Sequence, residues 1–284
     1  GAYNVGPCHG AITGNALTAH RDIDAITFTG STVTGQKVMQ ACSLGIRDIS
    51  LELGGKNPAI IFDDCDMDVA VAETTRSCFA NSGQVCLGTE RVYVQRKIFD
   101  EFVAKLKTSA TNLKLGVQHD ESSQMGPLIS KQHQEKVLKY YELAKKEGAN
   151  VVLGGGAPNM TGDIKNGYWV EPTIWTGLSE DSPIVKEEIF GPCCHIAPFD
   201  TEEEVIALAN DTSYGLASTL FTQNLDKAHR VASKIDSGIV WVNSWFLRDL
   251  RTPFGGMKSS GIGREGGHHS LEFYTELKNI CIKM

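Results

Sequence analysis

The run "AITFTGSTVTGQKVMQACSL", Ala25 to Leu44, constrains the fold most. It passes from a short apolar stretch through a Gly/Ser/Thr turn into a helix-like stretch. That order predicts a strand–turn–helix unit, the building block of an α/β sheet. The same alternation continues downstream. "NPAIIFDD" (57–64) and "SGIVWVN" (237–243) have the composition of short buried strands. Asp66 is placed to cap a helix running through Ala80, with Gly83 as its stop. "TEEE" (201–204) has capping-box spacing ahead of an apolar run. The opening "GAYNVG" reads as a short strand, and "GGGAPNMTGDIKNG" (154–167) as a surface loop. The expected class is α/β with a mainly parallel sheet.

A length of 284 residues, 41% of them hydrophobic, suffices for one or two domains with a substantial core. The net charge of −7 argues against a nucleic-acid binder, which needs a basic surface. No apolar run approaches the roughly 20 residues that span a bilayer, so no membrane partner is expected. The eight cysteines form no C-x-x-C and no zinc-type spacing with histidine, so no metal is expected. Their scatter suits a reducing compartment, and the cytoplasm is the expected location.

Four stretches carry groups suited to chemistry. In "FTGSTVTG", the backbone N–H groups around Gly30, Ser31 and Gly35 can cradle a phosphate at a helix start, or simply close a tight turn. The Walker lysine and the G-x-G-x-x-G fingerprint are both missing. In "LELGGKNPA", Glu52 lies between leucines, where burial would raise its pKa and suit it to general-base work. Its ordinary alternative is a strand-end glutamate that reaches solvent. In "NSGQVCLG", Cys86 lies beyond the helix stop with glycines on either side, leaving room for a nucleophile, although a lone cysteine is more often structural. "EEIFGP" places Glu187 and Glu188 ahead of a rigid turn. Arg248 and Arg251 in "LRDLRTPFGGMKSSGIGREGG" can clamp a carboxylate bidentately, or pair with Asp249.

In this order and at these separations, "FTGSTVTG", "LELGGKNP", "NSGQVCLG", "EEIFGP" and "PFGGMKSSGIGREGG" resemble the NAD(P)-dependent aldehyde dehydrogenase superfamily, over essentially the whole chain. The C-terminal part is most similar to the 2-aminomuconic and 2-hydroxymuconic 6-semialdehyde dehydrogenases. The resemblance implies Cys86 as nucleophile and Glu52 as general base. It implies Ser31 at a cofactor phosphate, with Gly30 and Gly35 lining the turn. Glu188 would hold the nicotinamide ribose hydroxyls, Phe190 would border the nicotinamide, and Glu265 would take part in a proton relay. NAD is the implied cofactor, with NADP not excluded.

The resemblance also implies an organisation. Residues 1–55 would be part of a Rossmann-type cofactor domain, 56–259 an α/β catalytic domain, and 260–284 a return segment with an oligomerisation strand in "EFYTELKNICIKM". A homodimer or homotetramer is expected. The chain opens inside the cofactor domain, so these residues alone are expected to bind nicotinamide cofactor weakly or not at all. The substrate expected is an aldehyde bearing a carboxylate, oriented by Arg248 in preference to Arg251. The rivals are a broad-specificity aldehyde dehydrogenase and an inactive truncated product. A papain-like hydrolase would need a histidine partner, and none of the eight histidines sits in a recognisable motif.

Overall fold

The computed structural model describes residues 2–284, and the chain divides into two compact units. One comprises Gly1–Gly54 with Arg248–Met284, the other Gly55–Leu247. The returning chain is tied to the N-terminal segment where the Leu53 N–H donates to the Ser260 carbonyl (2.8 Å) and Ser260 Oγ donates to the Gly54 carbonyl (2.6 Å).

Residues 2–9 are exposed and form no strand. They are followed by α1 (Asn15–Ala19), β1 (Ala25–Thr29), α2 (Thr32–Ser43) and β2 (Asp48–Glu52). β1 and α2 are the strand–turn–helix unit legible in the sequence, and β1 and β2 run parallel with Thr29 opposite Glu52. Ser31 caps α2, its Oγ accepting from the Thr34 N–H. Gly35 packs closely on Leu53, since a Cβ there would lie 2.5 Å from a methyl of the Leu53 side chain, which would have to shift.

The second unit begins with β3 (Asn57–Ile61), α3 (Met67–Phe79), β4 (Thr89–Gln95), α4 (Phe99–Thr111) and α5 (Lys131–Lys146). It continues through β5 (Asn150–Leu153), β6 (Thr173–Thr176), α6 (Pro183–Lys186), β7 (Cys193–Phe199), α7 (Glu202–Asn210), β8 (Ala217–Phe221), α8 (Leu225–Ala232) and β9 (Ile239–Val242). The seven strands lie in the order β5-β6-β7-β4-β3-β8-β9, all parallel except β5 against β6. Side chains alternate along each strand. Ala59, Ile61, Val92 and Val94 therefore pack with Phe102 and Leu106 of α4 on one face. Ile60, Phe62 and Tyr93 pack with Val205 of α7 and Val231 of α8 on the other. Asp66 caps α3 through two backbone N–H groups, and Thr201 and Glu204 form the capping box of α7.

The chain ends in β10 (Gly261–Ile262), antiparallel to β2, and α9 (Gly267–Phe273). The strand expected in the tail is absent: residues 276–284 carry no regular element. A strand requires a ladder partner, and none of the strands among the described residues pairs with this segment. Leu277, Ile280 and Ile282 are consequently exposed. No helix among the described residues is long and apolar enough to cross a membrane.

Candidate active site

Because β3, β4, β7 and β8 are parallel, their starts share one edge of the sheet, and the loops entering them meet there. After α3 the backbone passes through Asn81 and Ser82 at φ of 50° and 58°, then Gly83 at 70°. Gly83 has no space for a side chain, since a Cβ would lie 2.0 Å from the Gly191 carbonyl oxygen. The "NSGQVCLG" loop is thereby pressed against the "EEIFGP" turn.

Three successive carbonyls around Cys86 are held by side chains. Asn57 Nδ2 donates to the carbonyls of Cys86 (2.7 Å) and Gly88 (2.8 Å). Trp245 Nε1 donates to that of Leu87 (3.0 Å). Asn57 Oδ1 in turn accepts from the Ala217 N–H (3.0 Å), anchoring the loop to β8. Cys86 itself is half-buried. A reactive group on so constrained a backbone is held in one geometry, which is what a positioned nucleophile requires.

The neighbouring turn is equally constrained. Glu188 Oε1 accepts from the Gly55 N–H (2.9 Å). Burial, and then the charge of Glu90, push the Glu188 carboxyl up to about 7. Phe190 sits at φ 62°, and its carbonyl accepts from His133 Nε2 (2.7 Å). Burial lowers the His133 pKa. Lys136 Nζ donates to the Glu188 carbonyl (3.2 Å), and Tyr140 donates to Glu187 (2.6 Å). An open cavity of about 820 Å³ lies on this face, lined by His133, Lys136, Tyr140 and Glu187 among others.

The remaining sequence-derived candidates lie in the other unit. Glu52 ends β2 and is only 5% exposed, and among the described residues no donor reaches either carboxylate oxygen. Burial and the nearby Glu265 raise its carboxyl to about 7, opposed by Arg264 and Arg248. Glu265 is fixed by two backbone bonds with Phe254 (2.7 and 2.8 Å). Arg248 stacks on the Phe254 ring, its guanidinium carbon 4.3 Å from the centroid. Arg251 instead forks onto Asp249 (2.9 and 2.5 Å) in full solvent exposure, the local pairing that its spacing allowed. Gly30 and Ser31 are exposed at the β1–α2 turn, where the Gly30 N–H donates to the Glu52 carbonyl (3.0 Å).

The raised Glu52 pKa has a consequence for stability. An unfolded glutamate titrates near 4.5. Between that value and about 7, the native state keeps a proton that the unfolded state has released, so stability falls as pH rises through this interval. Glu52→Gln is therefore expected to raise Tm at about pH 8 and leave it unchanged at about pH 4, as read by thermal melts. An equal effect at both pH values would show that Glu52 is not a buried titrating group.

Lys56, Asn57, Glu90, His133 and Lys136 escape the sequence reading. Lys56 and Asn57 lie within "LELGGKNPA" itself, and Glu90 is a lone charge in the apolar run "TERVYV", which is the signal that could have found it.

The chain belongs to the Aldehyde dehydrogenase family, whose profile matches residues 1–280. It is 62% identical to the 2-hydroxymuconic semialdehyde dehydrogenase of Pseudomonas putida, over all of this chain and 59% of that protein. It is 55% identical to the 2-aminomuconic 6-semialdehyde dehydrogenase of a Pseudomonas species, over 95% of this chain and 55% of that protein. Among solved structures, the NAD+ complex of an aldehyde dehydrogenase from Bacillus cereus superposes with a TM-score of 0.91 at 46% identity, covering 95% of this chain and 54% of that one. The chain thus spans little more than half the length of these relatives.

Proposed function

We propose that the whole protein carrying this sequence oxidises a carboxylated semialdehyde, of the 2-hydroxymuconic or 2-aminomuconic 6-semialdehyde type, to the corresponding acid with NAD. The observation that carries the reaction is the Cys86 loop, whose flanking carbonyls are held by Asn57 and Trp245 while Gly83 seats it on the Glu188–Phe190 turn. The 62% identity with a 2-hydroxymuconic semialdehyde dehydrogenase supports the substrate class.

Cys86, as thiolate, adds to the aldehyde carbon and forms a thiohemiacetal oxyanion, which its own backbone N–H stabilises. Glu188 would offer its second oxygen to the ribose hydroxyls of a bound dinucleotide, and Phe190 would border the nicotinamide. When bound, a dinucleotide would supply an acceptor for the hydride leaving the thiohemiacetal carbon, so that a thioester would remain on Cys86. Glu52 takes a proton from water, the resulting hydroxide attacks the thioester carbon, and the Cys86 thiolate departs as the acid forms. Glu265, close enough in charge to raise the Glu52 pKa, passes the proton onward. Gly30 and Ser31 form the turn that would receive a cofactor phosphate, whereas Gly35, which the resemblance placed in that turn, lies inside α2 against Leu53. The exposed Leu277, Ile280 and Ile282 suit a strand that pairs with a second copy of the chain.

Assaying the whole protein with 2-hydroxymuconic semialdehyde and NAD tests the reaction, and absence of NADH would refute it. Arg248 tests the substrate. It is not committed to a local carboxylate as Arg251 is, and it orients the carboxylate of the semialdehyde. Arg248→Ala is expected to raise KM for carboxylated aldehydes by about 10- to 100-fold and for neutral ones by less than about twofold. Equal changes for both would remove the clamp.

A further inference from the structure

We propose that Glu90 is a positioning residue: held by Lys56, its carboxylate fixes the Glu188–Phe190 turn against the Cys86 loop. The inference rests on the reading that this turn receives the cofactor.

Glu90 lies on β4 four residues after Cys86 and is 7% exposed. A carboxylate at such a place is costly unless every lone pair finds a donor. Glu90 Oε2 receives Lys56 Nζ (2.5 Å) and the Ile189 N–H (3.0 Å), while Oε1 receives the Phe190 N–H (2.8 Å). Charge-assisted bonds of this kind are about twice as strong as neutral ones. They act on a backbone that needs holding, because an aromatic residue at φ 62° occupies a sparsely populated conformation. Lys56 is fully buried, its carbonyl accepts from Arg91 Nε (2.8 Å), and its preceding residue Gly55 donates to Glu188. One carboxylate thus ties together the Gly55–Lys56 entry to β3, the start of β4 and the turn before β7. The ladders of the sheet account for the strands themselves, so the Glu90 side chain acts on the turn.

Glutamine at position 90 keeps the shape but presents an N–H₂ where the turn offers only donors. Glu90→Gln is expected to speed amide exchange at Ile189 and Phe190 at least about tenfold, with Ile196 in the middle of β7 unchanged. In the whole protein it should raise KM for NAD about tenfold and enlarge the primary deuterium isotope effect on kcat, while alkylation of Cys86 stays within about twofold. If the charge left on Lys56 prevents folding, the double variant Lys56→Met, Glu90→Gln carries no orphaned buried ion and should show the same local loosening. Unchanged exchange at Ile189 and Phe190, or an equal increase across β7, overturns the inference. The exchange experiment needs no catalysis. It decides the role of Glu90 even if the protein reduces no NAD, a result that would sink only the functional reading.

Discussion

Replacing Cys86 by serine in the whole protein is expected to abolish aldehyde-dependent NADH formation, by at least about 10³-fold in kcat/KM. A thiol serves both halves of the proposed reaction, since its thiolate forms at accessible pH and leaves readily from the acyl carbon. A serine hydroxyl is far less acidic than a thiol, so it is a weak nucleophile near neutral pH, and the ester it would give expels a poorer leaving group. The carbonyls around position 86 are held by Asn57 and Trp245 side chains, so the backbone should tolerate the exchange of sulfur for oxygen. Melting temperature should therefore change little while activity disappears. A serine variant retaining a tenth or more of wild-type turnover would exclude covalent catalysis by Cys86.

Glu52→Gln is expected to separate the two halves. Acylation and hydride loss do not require a base for water, so an initial burst of NADH should persist. Steady-state turnover should fall by about 10²- to 10⁴-fold, the usual contribution of a positioned general base. In the wild type, the hydrolytic step should rise with pH through about 7 as burial and Glu265 delay ionisation of the Glu52 carboxyl. The glutamine variant should lose this pH dependence. Loss of the burst together with turnover would instead assign Glu52 to acylation or to folding.

These experiments rest on features of unequal legibility. The cap of α3 by Asp66 and the box formed by Thr201 and Glu204 depend on residues within three positions of each other, so the sequence displays them directly. Cys86 and Glu52 stand out because their stretches are compact and rich in glycine. Asn57 reads as no more than a strand start, yet its amide reaches partners 29, 31 and 160 positions away. Glu90 and the turn it grips are separated by 99 and 100 positions, so no local pattern can reveal the pairing. Arg248 and Arg251 appear equivalent in sequence, but one stacks on Phe254 while the other is neutralised by Asp249.

The order of apolar runs, turns and caps by itself determined an α/β chain with parallel strands, because periodicity and capping act over single turns of backbone. The tail strand that the resemblance implies is not formed by this chain alone, since a ladder needs a second edge. Tertiary structure alone decided that the loops entering β3, β4 and β7 converge at the starts of the strands. Open α/β sheets more commonly bind ligands at the opposite ends. Parallel pairing brings those starts into register across a hundred residues, and only then do Asn57, Glu90 and Gly83 have anything to hold.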